Sequence, residues 1–71
     1  MFAIALAPPV DADLLRLRHE FLALPGLTLT VAQTARLLDV RPRHAEVLLT
    51  ALEAEGLIVR MASGIYRRTK V

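Results

Sequence analysis

Residues 30–60 read TVAQTARLLDVRPRHAEVLLTALEAEGLIVR, and the spacing within them decides the fold. Thr30 and Gln33 stand three apart just ahead of an apolar run, the arrangement in which each side chain satisfies the other's backbone N–H. Val31, Ala35 and Leu38 then recur at helical spacing and predict a helix over 31–38. Asp39-Val40-Arg41 reads as a tight turn. Pro42 suits the first position of the next helix, where its missing N–H loses no bond. Ala45, Leu48, Leu49 and Leu52 share one face of that helix, placed at 42–55, and Gly56 follows as its cap. Leu57 to Met61 carries the β-branched pair Ile58-Val59 and reads as a strand. Ala62-Ser63-Gly64 is a turn, and Ile65 to Thr69 is a second strand, which together predict a β-hairpin.

Working upstream, Leu14, Leu17, Phe21 and Leu24 mark a first helix over 12–24, with Asp11 as the expected N-cap, Asp13 in the first turn, and Pro25-Gly26 as the stop. Leu15 and Leu22 form a second apolar seam beside that stripe. The combined stripe is wider than one small core needs, so a partner surface is expected there. Leu27-Thr28-Leu29 is a short extended stretch. Residues 1–10 read as an N-terminal arm and 11–71 as one domain. Phe2 and Ile4 in the arm join Leu15 and Leu22 as candidates for a dimer or partner interface. The apolar start is too short to span a membrane, lacks a basic flank and is interrupted by Pro8-Pro9, so a cytoplasmic chain is expected.

Composition narrows the classes further. The chain has 71 residues, enough for one domain. Its aliphatic richness excludes a disordered chain. With no cysteine it has no disulfide or thiolate metal site. The formal net charge of +2 is unevenly spread. Residues 1–40 carry three arginines against four carboxylates, whereas 41–71 carry six cations against three. The basic half is where a nucleic-acid face is expected.

Three pieces carry a family resemblance: Leu27-Thr28-Leu29-Thr30-Val31-Ala32-Gln33 with Ala35 to Val40; Leu52-Glu53-Ala54-Glu55-Gly56-Leu57-Ile58-Val59-Arg60; and Gly64-Ile65-Tyr66. In this order they resemble the winged helix-turn-helix superfamily, over about residues 12–69. The nearest groups are the C-terminal winged domain of the DNA-processing protein A family and the small stand-alone regulators of bacterial ferrous-iron transport. The usual wing cysteines of those regulators are absent here. The resemblance implies a mainly α fold of three helices with a small β-hairpin, in the order α-β-α-α-β-β. It also implies a homodimeric transcription regulator on double-stranded DNA, with helix 3 in the major groove and the wing on phosphate or minor groove.

On that reading Arg43, Val47 and Thr50 lie on the face of helix 3 opposite its apolar one, with His44 and Glu46 at the flanks. Arg43 is the candidate for bidentate contact with guanine, and Arg41 for a phosphate. Gln33 and Thr34 resemble the family's backbone-contact positions. Arg60, Arg67, Arg68 and Lys70 supply wing charge, with Ser63 and Gly64 at the tip. Because strand residues alternate, Arg67 and Arg68 point to opposite sides. The plainer reading of Arg41 and Arg43 is solvated charge, and Tyr66 reads as a core or edge filler. His19 and His44 stand alone, so no metal or other cofactor is expected.

Val47, Thr50, Ala51 and Ala54 offer few hydrogen bonds to bases. That surface equally suits a protein partner, which keeps a protein-docking module without DNA binding as the alternative. No catalytic motif is present, and a domain this small is not expected to enclose a pocket of about 300 Å³ or more.

Overall fold

The computed structural model describes residues 9–69. The elements run α1 (Pro9–Ala23), β1 (Thr28–Leu29), α2 (Val31–Leu38), α3 (Pro42–Ala54), β2 (Ile58–Arg60) and β3 (Tyr66–Arg68). The chain is therefore mainly helical, with three helices and a small antiparallel sheet of three strands in the order β1-β3-β2. Among the described residues no helix is long and apolar enough to cross a membrane.

The two acidic residues expected to open α1 stand differently from the reading. The helix begins at Pro9, so Asp11 lies within its first turn and is not its cap, and Asp13 lies beyond the first turn. Proline at a helix start is pre-set in φ and gives up no hydrogen bond, which favours the earlier beginning. At the other end Leu24 falls outside the helix and is exposed. The chain there turns through Pro25-Gly26, closed by Leu27 N–H donating to Leu24 O at 2.8 Å. The stripe that reaches the core is thus Leu17 and Phe21, with Leu14 packed against it.

α2 starts on the capping box the sequence spells. Gln33 N–H donates to Thr30 Oγ1 at 3.1 Å, and Thr30 N–H to Gln33 Oε1 at 2.9 Å. It ends with Asp39 in the left-handed region, at φ 56° and ψ 50°. Val40 N–H reaches Ala35 O at 2.9 Å and Asp39 N–H reaches Arg36 O at 3.3 Å, which satisfies two of the helix's last carbonyls. Gly56 closes α3 in the same way at φ 84°, with Leu57 N–H on Leu52 O and Gly56 N–H on Glu53 O. Asp39 occupies with a side chain what Gly56 occupies without one. Asp tolerates this conformation and a β-branched residue does not. Asp39→Val is expected to cost about 1–2 kcal/mol and Asp39→Gly to cost nothing, read as thermal midpoints by circular dichroism.

Packing joins the two halves of the chain. Leu17 and Phe21 from α1, Leu29 from β1, Leu38 from α2, Leu48, Leu49 and Leu52 from α3, Ile58 from β2 and Tyr66 from β3 form one buried cluster. Cross-strand partners point the same way, so the register sorts the sheet into two faces. Leu29, Tyr66 and Ile58 turn to the core, while Thr28, Arg67 and Val59 turn away from it. The ladders are shorter than the sequence suggests, three residues in each hairpin strand. The Arg18–Glu55 ion pair ties α1 to the C-cap of α3, and a hydrogen bond between His44 and Asp13 ties it to the first turn of α3. The hydrogen bond that Arg18 donates to Glu55 raises its already high pKa.

Candidate nucleic-acid interface

The turn between α2 and α3 sets how the third helix is presented. Asp39 reverses the chain, Arg41 takes the N-cap position in extended geometry (φ −70°, ψ 149°), and Pro42 opens the helix. The Arg41 side chain makes no capping bond, and both Arg41 and Arg43 are exposed. Neither belongs to an ion pair among the described residues. No acidic residue occupies the first turn, so two cations stand at the positive end of the helix dipole with no carboxylate to neutralise them. Such an end favours an anion from outside the chain.

Along α3 the buried face is Ala45, Leu48, Leu49 and Leu52, as the spacing predicts. The opposite face carries Arg43, Val47, Thr50 and Ala54, all exposed. Val47 is 55% exposed. Glu46 is exposed beside it.

Two expected contact residues are corrected by the geometry. Thr34 has 0% exposure, and its hydroxyl donates to Thr30 O at 2.9 Å, one turn back. That bond satisfies the side chain inside the domain and lets a threonine share the buried side of α2 with Ala35 and Leu38. His44 is half-buried, with Nε2 3.1 Å from Asp13 Oδ2 of α1, so its ring is turned toward the first helix. Gln33 remains exposed. Its Oε1 is used in the cap, which leaves the amide N–H₂ as the group free to donate outward.

The hairpin is built on a tight reversal. Gly64 N–H donates to Met61 O at 2.9 Å and Met61 N–H to Ile65 O at 2.7 Å, with Gly64 at φ 83°. A turn followed by a left-handed residue is a common three-residue hairpin loop. A Cβ added at Gly64 meets nothing within 4 Å, so any penalty there is backbone strain alone. Gly64→Val is expected to cost about 1–3 kcal/mol. Amide spectra should show the change confined to residues around 58–68.

The hairpin's arginines do not share one face. Arg60 stands opposite Tyr66 on the core side of the sheet, at its exposed end. Arg67 projects from the outer side with Thr28 and Val59. Arg68 is only half-exposed, opposite Ile58, and its Nε is enclosed with no hydrogen-bond partner among the described residues. Arg68 is therefore withdrawn from the expected contact surface, because alternation places it inward at the base of the hairpin. Tyr66 is buried in the core. Lys70, Phe2 and Ile4 lie outside the described residues.

An open cleft of about 410 Å³ lies between Pro25–Thr28 and Arg67–Thr69, at the end of the sheet away from the hairpin turn. It exceeds the volume expected of so small a domain because it is a groove between a loop and a strand end. The residues lining it include no histidine and no carboxylate. No protein-family profile, no curated protein and no solved structure matches this chain.

Proposed function

We propose that this chain is a winged helix-turn-helix domain that binds double-stranded DNA, with α3 entering the major groove and the β2–β3 hairpin lying alongside as the wing. The observation that carries the reading is the amino end of α3. Arg41 and Arg43 are exposed there, uncapped and unpaired among the described residues, on a helix whose other face is fixed in the core. A major groove admits an α-helix, and Arg pairs with guanine in bidentate fashion. Arg41 and the outward amide of Gln33 are assigned to phosphates, Arg43 and Thr50 to base edges, and Val47 to a thymine methyl. Arg60, Ser63, Gly64 and Arg67 are assigned to the wing's phosphate or minor-groove contacts.

Val47 also suits a second reading, a module that docks on another protein through α3. Fluorescence anisotropy with a mixed-sequence duplex separates the two. DNA binding that weakens steeply as salt rises is the expected result. Absence of binding at low salt leaves the docking module as the function.

A further inference from the structure

Two surfaces outside α3 stand open among the described residues. One is the solvent side of α1, where Leu15 and Leu22 are 61% and 48% exposed. The other is the cleft of about 410 Å³ at the end of β3, and its chemistry selects an occupant. β1 stops at Thr28, opposite Arg67, and the chain upstream of it turns away through Pro25-Gly26. Arg68 and Thr69 therefore lie beyond the ladder with β1. On their other side they stay tied to the hairpin, Arg68 opposite Ile58 and Thr69 N–H donating to Leu57 O at 2.9 Å. The cleft is the space between the diverging segments.

Its lining suits an anion. Arg67 and Arg68 bring two guanidinium groups, neither in an ion pair among the described residues, and no carboxylate lines the cleft. Alternation sends the two arginines to opposite sides of the strand end, so they flank it. Arg68 Nε and Thr69 Oγ1 are both enclosed, with no hydrogen-bond partner among the described residues. An enclosed donor left unsatisfied costs the full desolvation of its group, and native proteins normally match such a group with water, an ion or a ligand. A guanidinium takes both oxygens of a carboxylate or phosphate in one fork, and a threonine hydroxyl adds a further donor. The remaining walls are apolar, from Pro25, Leu27 and the methylene stems of the arginines. The volume lies at the low end of small-molecule sites, about 300–1,000 Å³, of which a bare inorganic ion fills little.

The geometry points to a binding site for a small organic anion, the size of a single-ring acid with one carboxylate or phosphate head. The head lies on Arg68 and Thr69, and the apolar body lies against Pro25 and Leu27. Arg68 Nε is covered in the free chain, so binding turns that side chain toward the cleft, a rotamer change of the kind common at binding surfaces. Arg67 stands at the mouth and is shared with the wing, whereas Arg68 is withdrawn from it. The site thus goes beyond the duplex reading and does not rest on it.

Titration of the ¹⁵N-labelled chain with sodium benzoate tests it, up to about 50 mM at fixed ionic strength, the range for a weak ligand of this size. Saturable shifts are expected at the amides of Gly26 to Thr28 and Arg67 to Thr69, with a dissociation constant of about 1–10 mM. Phenyl phosphate is expected to shift the same amides, and the tighter of the two identifies the head. Benzamide keeps the shape without the charge, and inorganic phosphate keeps the charge without the body. Each is expected to bind at least about tenfold more weakly than benzoate. Arg68→Met keeps the stem and removes the fork. It is expected to raise the benzoate constant at least about tenfold without lowering the thermal midpoint, because it deletes an enclosed donor that has no partner. Thr69→Val is expected to raise the constant about three- to tenfold, and gives the reading should Arg68→Met melt early. Absence of saturable shifts with both organic anions overturns the proposal. So does benzamide or inorganic phosphate binding as tightly as benzoate, or unchanged benzoate binding in the two variants. No nucleic acid enters the experiment, so its outcome is independent of the duplex reading.

Discussion

Phe21→Ala leaves most of the chain unfolded or lowers its thermal midpoint by at least about 12 °C. Phe21 has no exposed surface and touches the one cluster that holds all six elements together. Removing a buried aromatic side chain costs about 3–5 kcal/mol once the residual cavity is included. A domain of this length holds roughly 4–11 kcal/mol in total, at about 0.05–0.15 kcal/mol per residue. Each lost kcal/mol moves the midpoint of so small a domain by about 4–8 °C. Far-ultraviolet circular dichroism against temperature reads the effect directly. A loss under about 1 kcal/mol contradicts the placement of α1 over α3 and the sheet.

The second large effect falls on binding and not on stability. Arg41→Ala with Arg43→Ala is expected to weaken duplex DNA binding by about 100-fold, the sum of one guanine contact and one phosphate contact at about 1–3 and about 1 kcal/mol. The salt dependence also flattens, by about 0.9 in log–log slope for the lost phosphate contact. Both side chains are exposed and neither caps the helix, so the thermal midpoint should stay within the range of ordinary surface changes. Anisotropy at several salt concentrations, paired with a melting curve of the same variant, measures both. Unchanged affinity removes α3 from the interface.

The sequence was most legible where a structural feature is written within a few residues. The Thr30–Gln33 box, the Asp39 turn, Pro42 at the start of α3 and Gly56 at its end each depend on side chains acting on the neighbouring backbone, and each lies where the spacing puts it. The apolar face of α3 was legible for the same reason, because helical periodicity is local. Long-range pairing left no such trace. The alignment of β1 on β3, Thr28 with Arg67 and Leu29 with Tyr66, joins residues nearly 40 positions apart, and a two-residue strand carries too little pattern to announce its partner. The ion pair of Arg18 with Glu55 and the hydrogen bond between Asp13 and His44 are equally non-local, so His44 looked free on the flank of α3.

Thr34 was a different kind of miss. Its polar character suggested a surface contact, yet it lies one residue before Ala35 and four before Leu38, on their side of the helix. A threonine that bonds back to the carbonyl four residues earlier can be buried without an unsatisfied hydroxyl. The spacing carried that signal, and residue type obscured it. For the hairpin, alternation correctly separated Arg67 from Arg68, but only the register showed which of them turns inward.

The most direct measurement is a titration of the ¹⁵N-labelled chain with a short duplex at low salt, followed by amide spectra. The account predicts saturable shifts at the amide of Gln33, along residues 41–50 and at the hairpin around residues 60–64, fading as salt is added. The amides of Leu15, His19 and Leu22 should stay still. Shifts confined to α1, or none at any salt concentration, contradict it.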